Sequence, residues 1–190
     1  MLFRSEELIA YAKANPNKLN YAEIGIGSAM HMGMEQFKFM TKTEINRVSY
    51  RGTAPAISDV IAGTVELMFT GPPSAKSMSE GGKLKVLAVA SAQRLALLPD
   101  VPTVAEAGVP GYTMASWFGL LAPAKTPNAI VERLSAETRT AVGNPVFKDR
   151  MKSVGLDVDG GTPAAMLATM RSDMQRWAEL IKATGIAIPQ

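Results

Sequence analysis

The sequence contains no cysteine and a single histidine, His31, in 190 residues. The absence of cysteine excludes disulfides, thiolate metal sites and a cysteine nucleophile, while it leaves the cellular compartment open. One histidine excludes a metal site with several histidine ligands and a Ser-His-Asp triad built elsewhere in the chain. The Gly-x-Ser-x-Gly motif of many hydrolases is absent as well. We therefore predict neither a metal site nor a cofactor.

A large charge of one sign and a long apolar run are also missing. Lysine and arginine number 20 against 17 aspartate and glutamate residues, and this net charge of +3 is too small for a nucleic-acid surface. No stretch is apolar enough to span a bilayer, and residues 1–4 lack the basic start and apolar stretch of a signal peptide. With 47% hydrophobic and 19% charged residues, we expect a packed core, no nucleic-acid partner and no direct membrane insertion.

Three times within about fifty residues, a short apolar strand runs through a turn into a helix. We predict the strands over residues 19–24, 48–50 and 65–69, and the first of these helices over 29–42. Such alternation is typical of a parallel sheet, which places the three helix N-termini along one edge. Unpaired backbone N–H groups and the positive end of the helix dipole allow such an edge to receive anions, carboxylates included.

The first turn offers the backbone N–H groups of Gly25 and Gly27 and the hydroxyl of Ser28. These groups suit a carboxylate, and an ordinary tight turn between strand and helix is the alternative interpretation. The turn is not a dinucleotide fingerprint, because the third glycine of that motif is missing.

At the second turn, the amides of Gly52 and Thr53 and the Thr53 hydroxyl are candidates for carboxylate contacts. Thr53 is predicted to N-cap the next helix, which tolerates Pro55 in its first turn. Arg51 either pairs with the anion or stays solvated beside the turn, and we favour the backbone donors. Across the three turns, the candidate ligand-binding residues are Gly25, Gly27, Ser28, Tyr50, Arg51, Gly52, Thr53 and Thr70.

His31 lies one turn into the helix that follows Ser28, and nothing in the sequence specifies a nucleophile or an orienting acid for it. We predict a helix-face histidine that makes a local hydrogen bond. Asp59 and Glu66 are the acids expected nearest to the edge. Because they fall within a helix and a strand, paired-carboxylate chemistry is not indicated, and we predict no catalytic residue.

Elsewhere, cap residues and apolar runs predict the other elements. A helix capped by Ser5 opens the chain, and Thr103 caps a short helix that Gly108 ends. Apolar runs predict a strand over 84–90 and a further strand, buried on both faces, over 116–122. Three helix starts follow, each an N-cap residue followed by proline: Thr126-Pro127, Asn144-Pro145 and Thr162-Pro163.

The chain contains a series of motifs in a specific order and spacing: Glu6–Pro16, Gly25–Ser28 with His31, Val48–Gly52 with Pro55-Ala56, Gly81–Ala88, Leu98–Gly108 and Trp117–Pro123. In these motifs the chain resembles the Bug (TctC-type) receptors of tripartite tricarboxylate transporters, which are periplasmic solute-binding proteins. The resemblance covers essentially the whole chain after Ser5.

The resemblance implies an α/β fold of the periplasmic-binding-protein-like (type II) two-lobed architecture, with the first lobe incomplete. Residues 1–115 would form the second lobe, with its βα repeats and half of the ligand cradle. Residues 116–190 would supply the returning strand and helices of the first lobe. The family's opening segment, with its signal peptide and the loop that completes the cradle, is expected to be missing, so we expect weak unaided binding.

The function that the resemblance implies is non-catalytic capture, in the periplasm, of a small carboxylate for the membrane components of a tripartite transporter. Two other classes stay open on the residues alone. One is a hydrolytic enzyme that uses the same edge of the sheet. The other is a ligand-sensing domain of a regulator, which would need a DNA-binding or signalling segment attached.

Overall fold

The computed structural model describes residues 5–187, and the predictions for residues 1–4 and for the capping side chain of Ser5 lie outside this description. The chain divides into two compact units. Unit 1 runs to Ala115 and resumes at Leu180, and unit 2 is Ser116–Glu179. The assignment of the two parts of the chain to lobes of a receptor stays a prediction.

Unit 1 is built on a small parallel sheet. Among the described residues, β1 (Asn20–Glu23), β2 (Asn46–Ser49) and β3 (Leu67–Met68) form one three-stranded sheet in the order β2-β1-β3. The central strand, β1, pairs in parallel with both neighbours. The predicted parallel arrangement is confirmed, with strands shorter than the apolar runs indicated.

Each strand of this sheet leads into a helix. α1 (Ser5–Ala14) precedes the sheet, and α2 (Ala29–Thr41), α3 (Thr53–Ala62) and α4 (Pro72–Glu80) follow β1, β2 and β3 in turn. Because the three strands are parallel, these three helices begin at the same edge of the sheet, as their alternation predicted.

The core of unit 1 forms where α1 and α2 pack on β1. The Phe37 ring meets the Tyr112 ring edge-on, with centroids 6.5 Å apart, and the Tyr112 hydroxyl donates to Gly33 O at 3.0 Å. These contacts hold α2 in place, and with it the turn that leads out of β1. The buried residues of this core are Leu8, Ala12, Leu19, Tyr21, Met34, Phe37, Ile45, Val104, Val109 and Tyr112.

The predicted strand over 84–90 is wrong. In the described structure this segment makes one isolated parallel bridge, between Val89 and Thr103, and the Val89 N–H donates to Pro102 O at 2.9 Å. An apolar run becomes a strand only where a neighbouring strand offers matching hydrogen-bonding positions. The strand β3, at one edge of the sheet, has two residues and offers few such positions to any further strand.

The predicted helix that begins at Thr103 is a single turn. Glu106 N–H donates to Thr103 Oγ1 at 3.1 Å, and Thr103 N–H donates to Glu106 Oε2 at 2.7 Å, the reciprocal bonds of a capping box. The Thr103 N–H and the Arg94 guanidinium hold the pKa of Glu106 below its ordinary value. Gly108, with φ of +99°, turns the chain before a second helical turn can form.

The described regular structure of unit 2 is helical. It comprises α5 (Asn128–Gly143), α6 (Pro145–Ser153) and α7 (Pro163–Thr184), whose residues from Leu180 onward belong to unit 1. None of the described helices combines the length and the apolar character needed to cross a bilayer.

Two of the three predicted N-caps in this region are confirmed. Asn144 Oδ1 accepts two N–H groups from the first turn of α6, and Thr162 Oγ1 accepts one from α7 at 3.2 Å. The predicted cap Thr126 is wrong, since Pro127 is the cap residue of α5 and no side chain caps that helix. Thr126 instead closes a preceding turn, in which its N–H donates to Pro123 O at 2.9 Å.

The prediction of a buried strand over 116–122 is also wrong. The segment has no strand structure, and Phe118, Leu120 and Leu121 are 84%, 77% and 74% exposed. No described strand pairs with this segment. An apolar run without a hydrogen-bonding neighbour and a covering layer stays in solvent, whatever its sequence pattern.

Candidate functional site

The carboxyl ends of the three strands and the starts of α2, α3 and α4 lie at one edge of the sheet in unit 1. At the first junction Ser28 caps α2, and its Oγ accepts the His31 N–H at 3.3 Å. Gly27 has φ of +79°, a conformation that side-chain-bearing residues rarely adopt. The sequence around Ser28 therefore builds a tight passage from β1 into α2.

A buried carboxylate, that of Glu23, lies at this edge. Glu23 is the last residue of β1, and only 3% of its surface is exposed. Its Oε1 accepts the Gly25 N–H, and its Oε2 accepts the Ser49 hydroxyl at 2.9 Å. Glu23 therefore joins the first turn to the last residue of β2.

The side chain of His31 binds the N–H of the second glycine in the same turn, Gly27. The ring is 1% exposed, and its Nδ1 accepts the Gly27 N–H at 3.0 Å, which confirms the predicted local hydrogen bond. Nε2 lies 3.3 Å from Arg47 Nη1 and 4.0 Å from Glu35 Oε1. Burial lowers the pKa of His31, because a charged ring would lose its hydration. Burial therefore favours the neutral form of the ring.

A second set of polar contacts joins α2 to β1. The Tyr21 hydroxyl donates to Glu35 Oε1 at 2.7 Å, and Lys38 Nζ lies 2.8 Å from the same oxygen. Burial, followed by the Glu35 hydrogen bond, raises the pKa of Tyr21. Among the described residues, no three His, Asp or Glu side chains gather in a way that would hold a metal ion.

The second junction is more open than the first. α3 begins at Thr53, and its cap residue is Gly52, so the predicted capping role of Thr53 is wrong. Gly52 has φ of +152°, and Thr53 is the first residue of the helix, one position too late for its hydroxyl to act as the N-cap. No side chain caps this helix start. No atom outside the neighbouring residues lies within 4 Å of the position that a Gly52 Cβ would occupy.

Tyr50 and Arg51 flank the start of α3. Tyr50 is half-buried, and its hydroxyl donates to Asp59 Oδ2 at 2.7 Å, a bond that raises the pKa of Tyr50. Its N–H donates to Glu23 O at 2.7 Å. Arg51 is exposed. Tyr50 therefore stabilises the junction, and the exposed guanidinium of Arg51 is accessible to an anion.

The third junction has fewer donors. α4 follows Gly71, and its first two residues, Pro72 and Pro73, have no N–H to offer. Thr70 is half-buried and lies two residues after the end of β3. Of the three helix starts, that of α3 combines backbone donors with the absence of a side-chain cap.

Sequence reasoning missed Glu23 as the acid of this edge. Asp59 lies in α3, as predicted. Glu66 directly precedes β3, and its carboxylate binds the Asn20 N–H at the opposite end of β1. One signal was available in the sequence: Glu23 is a charged residue in an apolar strand, two positions before a glycine turn whose N–H groups can receive it.

Comparison with known proteins identifies the class to which this fold belongs. The structure is similar to that of the R. palustris protein Rpa4515, solved with adipate, with a TM-score of 0.86 and 37% identity over 98% of this chain and 62% of that one. It is also similar to the periplasmic binding protein BugD, with a TM-score of 0.80 and 33% identity over 95% of this chain and 61% of BugD. The predicted α/β, periplasmic-binding-protein-like fold is confirmed.

Sequence comparison gives the family. The model of the tripartite tricarboxylate transporter family receptor matches residues 4–186. A relative from Pseudomonas sp. strain P51, the UPF0065 protein in the tcbD-tcbE intergenic region, is 36% identical over 176 residues, which are 92% of this chain and 52% of the relative. This chain belongs to the tripartite tricarboxylate transporter receptor family, and it spans about half the length of that relative.

Proposed function

We propose that the protein is a periplasmic receptor that captures a small carboxylate and delivers it to the membrane components of a tripartite transporter. Membership of a family of transporter receptors supports this function. A relative of closely similar structure was solved with adipate, which makes a dicarboxylate the first ligand to test.

The start of α3 is the observation that carries the proposal. Backbone N–H groups at Gly52 and Thr53 lie at the positive end of a helix that no side chain caps. The Thr53 hydroxyl and the Arg51 guanidinium belong to exposed residues on either side of Gly52. A carboxylate held here in a closed receptor would receive charge-assisted hydrogen bonds, each contributing roughly 1.5–3 kcal/mol.

The other candidate residues flank this position. Ser28 and Thr70 bring half-buried hydroxyl side chains from the first and third junctions. The amides of Gly25 and Gly27 already bind acceptors within the chain, so a ligand reaches them only by displacing those acceptors. We therefore rank the α3 start above the first turn as the carboxylate site.

Binding, and not catalysis, is the activity that this edge favours. The sole histidine has one ring nitrogen occupied by Gly27 N–H, and its burial opposes the charged form that a general acid needs. Neither a metal nor a cofactor is required for carboxylate capture by backbone donors. The hydrolase and regulator alternatives have no such observation in their favour.

A two-lobed receptor holds its ligand between lobes. In our proposal, residues 1–115 are the second lobe, which supplies half of the ligand cradle, and residues 116–190 return to the first lobe. A carboxylate on one lobe alone remains hydrated, so each hydrogen bond replaces a bond to water at a small gain. Closure of the second half of the cradle removes that water and gives the affinity of the complete receptor.

Calorimetric titration tests this function on the protein as its gene encodes it, that is, on the 190 residues together with any further segment of the same gene product. The ligands are adipate first, and then succinate, malate, citrate, glutamate and benzoate. We expect a micromolar or lower Kd for at least one acid. Thr53→Val should weaken that binding by about tenfold through the loss of one hydroxyl contact.

Ser58→Ala is the matched control, because the Ser58 hydroxyl lies on the exposed side of the same helix and donates to Ala54 O at 3.1 Å. Its affinity should equal that of the wild type. Failure of every acid to bind would contradict the proposed function. Equal effects of the two substitutions would contradict the proposed site.

A further inference from the structure

Glu23 places a carboxylate of the chain itself at an edge suited to carboxylates. Its surroundings leave 3% of the residue exposed, and both of its oxygens have hydrogen-bond donors. A buried carboxylate is costly unless donors replace the water that it loses. Here the Gly25 N–H and the Ser49 hydroxyl do so, which are the kinds of donor that a ligand carboxylate would use.

We propose that Glu23 is a specificity-determining positioning residue, which occupies the first turn in place of a ligand carboxylate and directs the ligand to the α3 start. The inference rests on the proposed function of carboxylate capture. It adds a ligand preference. The fixed negative charge of Glu23 disfavours ligands that would place a second carboxylate close to the first turn.

Two further contacts support the proposal that groups of the chain itself occupy the first turn, while the ligand binds at the α3 start. The Gly27 N–H is taken by His31 Nδ1, so both glycine amides of the first turn have acceptors within the chain. Ser28 Oγ accepts the His31 N–H. At α3, by contrast, no side chain caps the helix start.

Glu23 also fixes the second junction. Its side chain receives the hydroxyl of Ser49, the last residue of β2, and its backbone oxygen accepts the Tyr50 N–H at 2.7 Å. Ser49 and Tyr50 lead directly into the turn at Gly52. One residue therefore sets the separation between the first turn and the α3 start.

Two substitutions separate the charge of Glu23 from its hydrogen bonds. Glu23→Gln keeps the size and an acceptor for Gly25 N–H while it removes the negative charge. Glu23→Ala removes the portion of the side chain that corresponds to acetate, which leaves a space that acetate itself can fill. Glu66 offers the matched control, because its exposed carboxylate also binds a backbone N–H of β1, that of Asn20 at 2.8 Å.

The first measurement is ligand preference, by calorimetry on the protein as its gene encodes it, with adipate and its monomethyl ester as probes. Glu23→Gln should raise the affinity for adipate, relative to the monoester, by about fivefold, the order expected for one unit charge several ångströms away. Glu66→Gln should leave the ratio at the wild-type value. A ratio in Glu23→Gln equal to that of the wild type overturns the inference about preference.

The second measurement does not depend on the transported ligand. Acetate at tens of millimolar should raise the Tm of Glu23→Ala by several degrees in a saturable manner, and should leave the Tm of Glu66→Ala unchanged. If adipate and the other acids fail to bind while acetate rescue occurs, the proposed function is wrong, but the first turn still binds a carboxylate. Glu23→Ala without acetate rescue contradicts the occupancy argument. If Glu23→Ala does not fold, the chemical shift of the Gly25 amide proton in Glu23→Gln tests the occupancy argument instead. Loss of the charged acceptor must shift this resonance upfield.

Discussion

Gly27 combines φ of +79° with a hydrogen bond from its N–H to His31. Gly27→Val would force a β-branched residue into this conformation, and we expect a loss of about 1–3 kcal/mol in the free energy of unfolding. Gly25→Ala is the control, because its Cβ would lie 3.7 Å from Ser28 Cβ, an ordinary contact. Denaturant titrations of both variants measure the difference, and equal losses would contradict the backbone assignment.

The buried ring of His31 predicts a dependence of stability on pH. Its folded-state pKa lies below the ordinary value of 6.5, chiefly through burial, with Arg47 and Lys38 lowering it and Glu35 and Glu23 raising it. The unfolded chain therefore takes up the proton at higher pH than the folded chain. The contribution to stability is complete above pH 6.5 and is lost as the pH falls towards the folded-state pKa.

Thermal melts between pH 7.5 and 5.5 measure this contribution. The Tm of the wild type should fall more steeply than that of His31→Gln, which has no titrating ring. Superimposable profiles after normalisation at pH 7.5 would show that His31 does not take up a proton in this range.

Residue-scale features were predictable from the sequence where the partners are close along the chain. The bond between Gly27 and His31 spans four residues, and the position of His31, one turn into the helix, predicts a local hydrogen bond of this kind without naming its partner. The bond between Glu23 and Ser49 spans 26 residues. It depends on the register of β1 and β2, which pairs these two residues and which no local pattern contains.

At the scale of elements, helix caps offer a paired test. Asn144 Oδ1 accepts the N–H groups of Val146 and Phe147 at 2.9 and 3.4 Å, whereas Thr126 makes no cap. Asn144→Ala should lower the free energy of unfolding by about 0.5–2 kcal/mol, and Thr126→Ala should change it by much less. Equilibrium unfolding followed by circular dichroism distinguishes the two. A larger loss in Thr126→Ala would restore the cap that the sequence predicted.

Elements that need a distant neighbour were the ones that sequence reasoning misjudged. The helices α2, α5, α6 and α7 follow from caps and from periodicity, which are local. The apolar runs at 84–90 and 116–122 have the composition of strands, but the described structure gives the first a single bridge and the second none. Apolar composition indicates what a segment can bury, and the hydrogen-bonding partner decides whether it does so.

Over the whole molecule, unit 2 exposes much apolar surface. Phe118 is 84% exposed, Ile130 and Leu134 of α5 are each 51% exposed, and Met174 of α7 is 69% exposed. Ile130 and Leu134 lie one turn apart on α5, and large exposed apolar patches mark surfaces that another layer covers. The chain spans about half the length of its Pseudomonas relative, so the complete relative has further sequence from which such a layer can come.

We predict that the 190-residue chain, expressed alone, self-associates or is partly molten and binds no carboxylate measurably. A chimera that adds the unmatched N-terminal part of the R. palustris protein should be a soluble monomer with micromolar or tighter binding. Sedimentation velocity and calorimetry measure both forms. A monodisperse, cooperatively melting chain that binds adipate at micromolar concentration would show that the exposed apolar surface needs no cover.

The most direct measurement of the central claim, carboxylate capture at the α3 start, is an NMR titration of the ¹⁵N-labelled protein, as its gene encodes it, with adipate. We predict saturable shifts of the Gly52 and Thr53 amides, while the Gly25 amide, bound to Glu23, keeps its position. Saturable shifts centred on Gly25 and Gly27 would place the ligand in the first turn, and the absence of saturable shifts would contradict carboxylate capture itself.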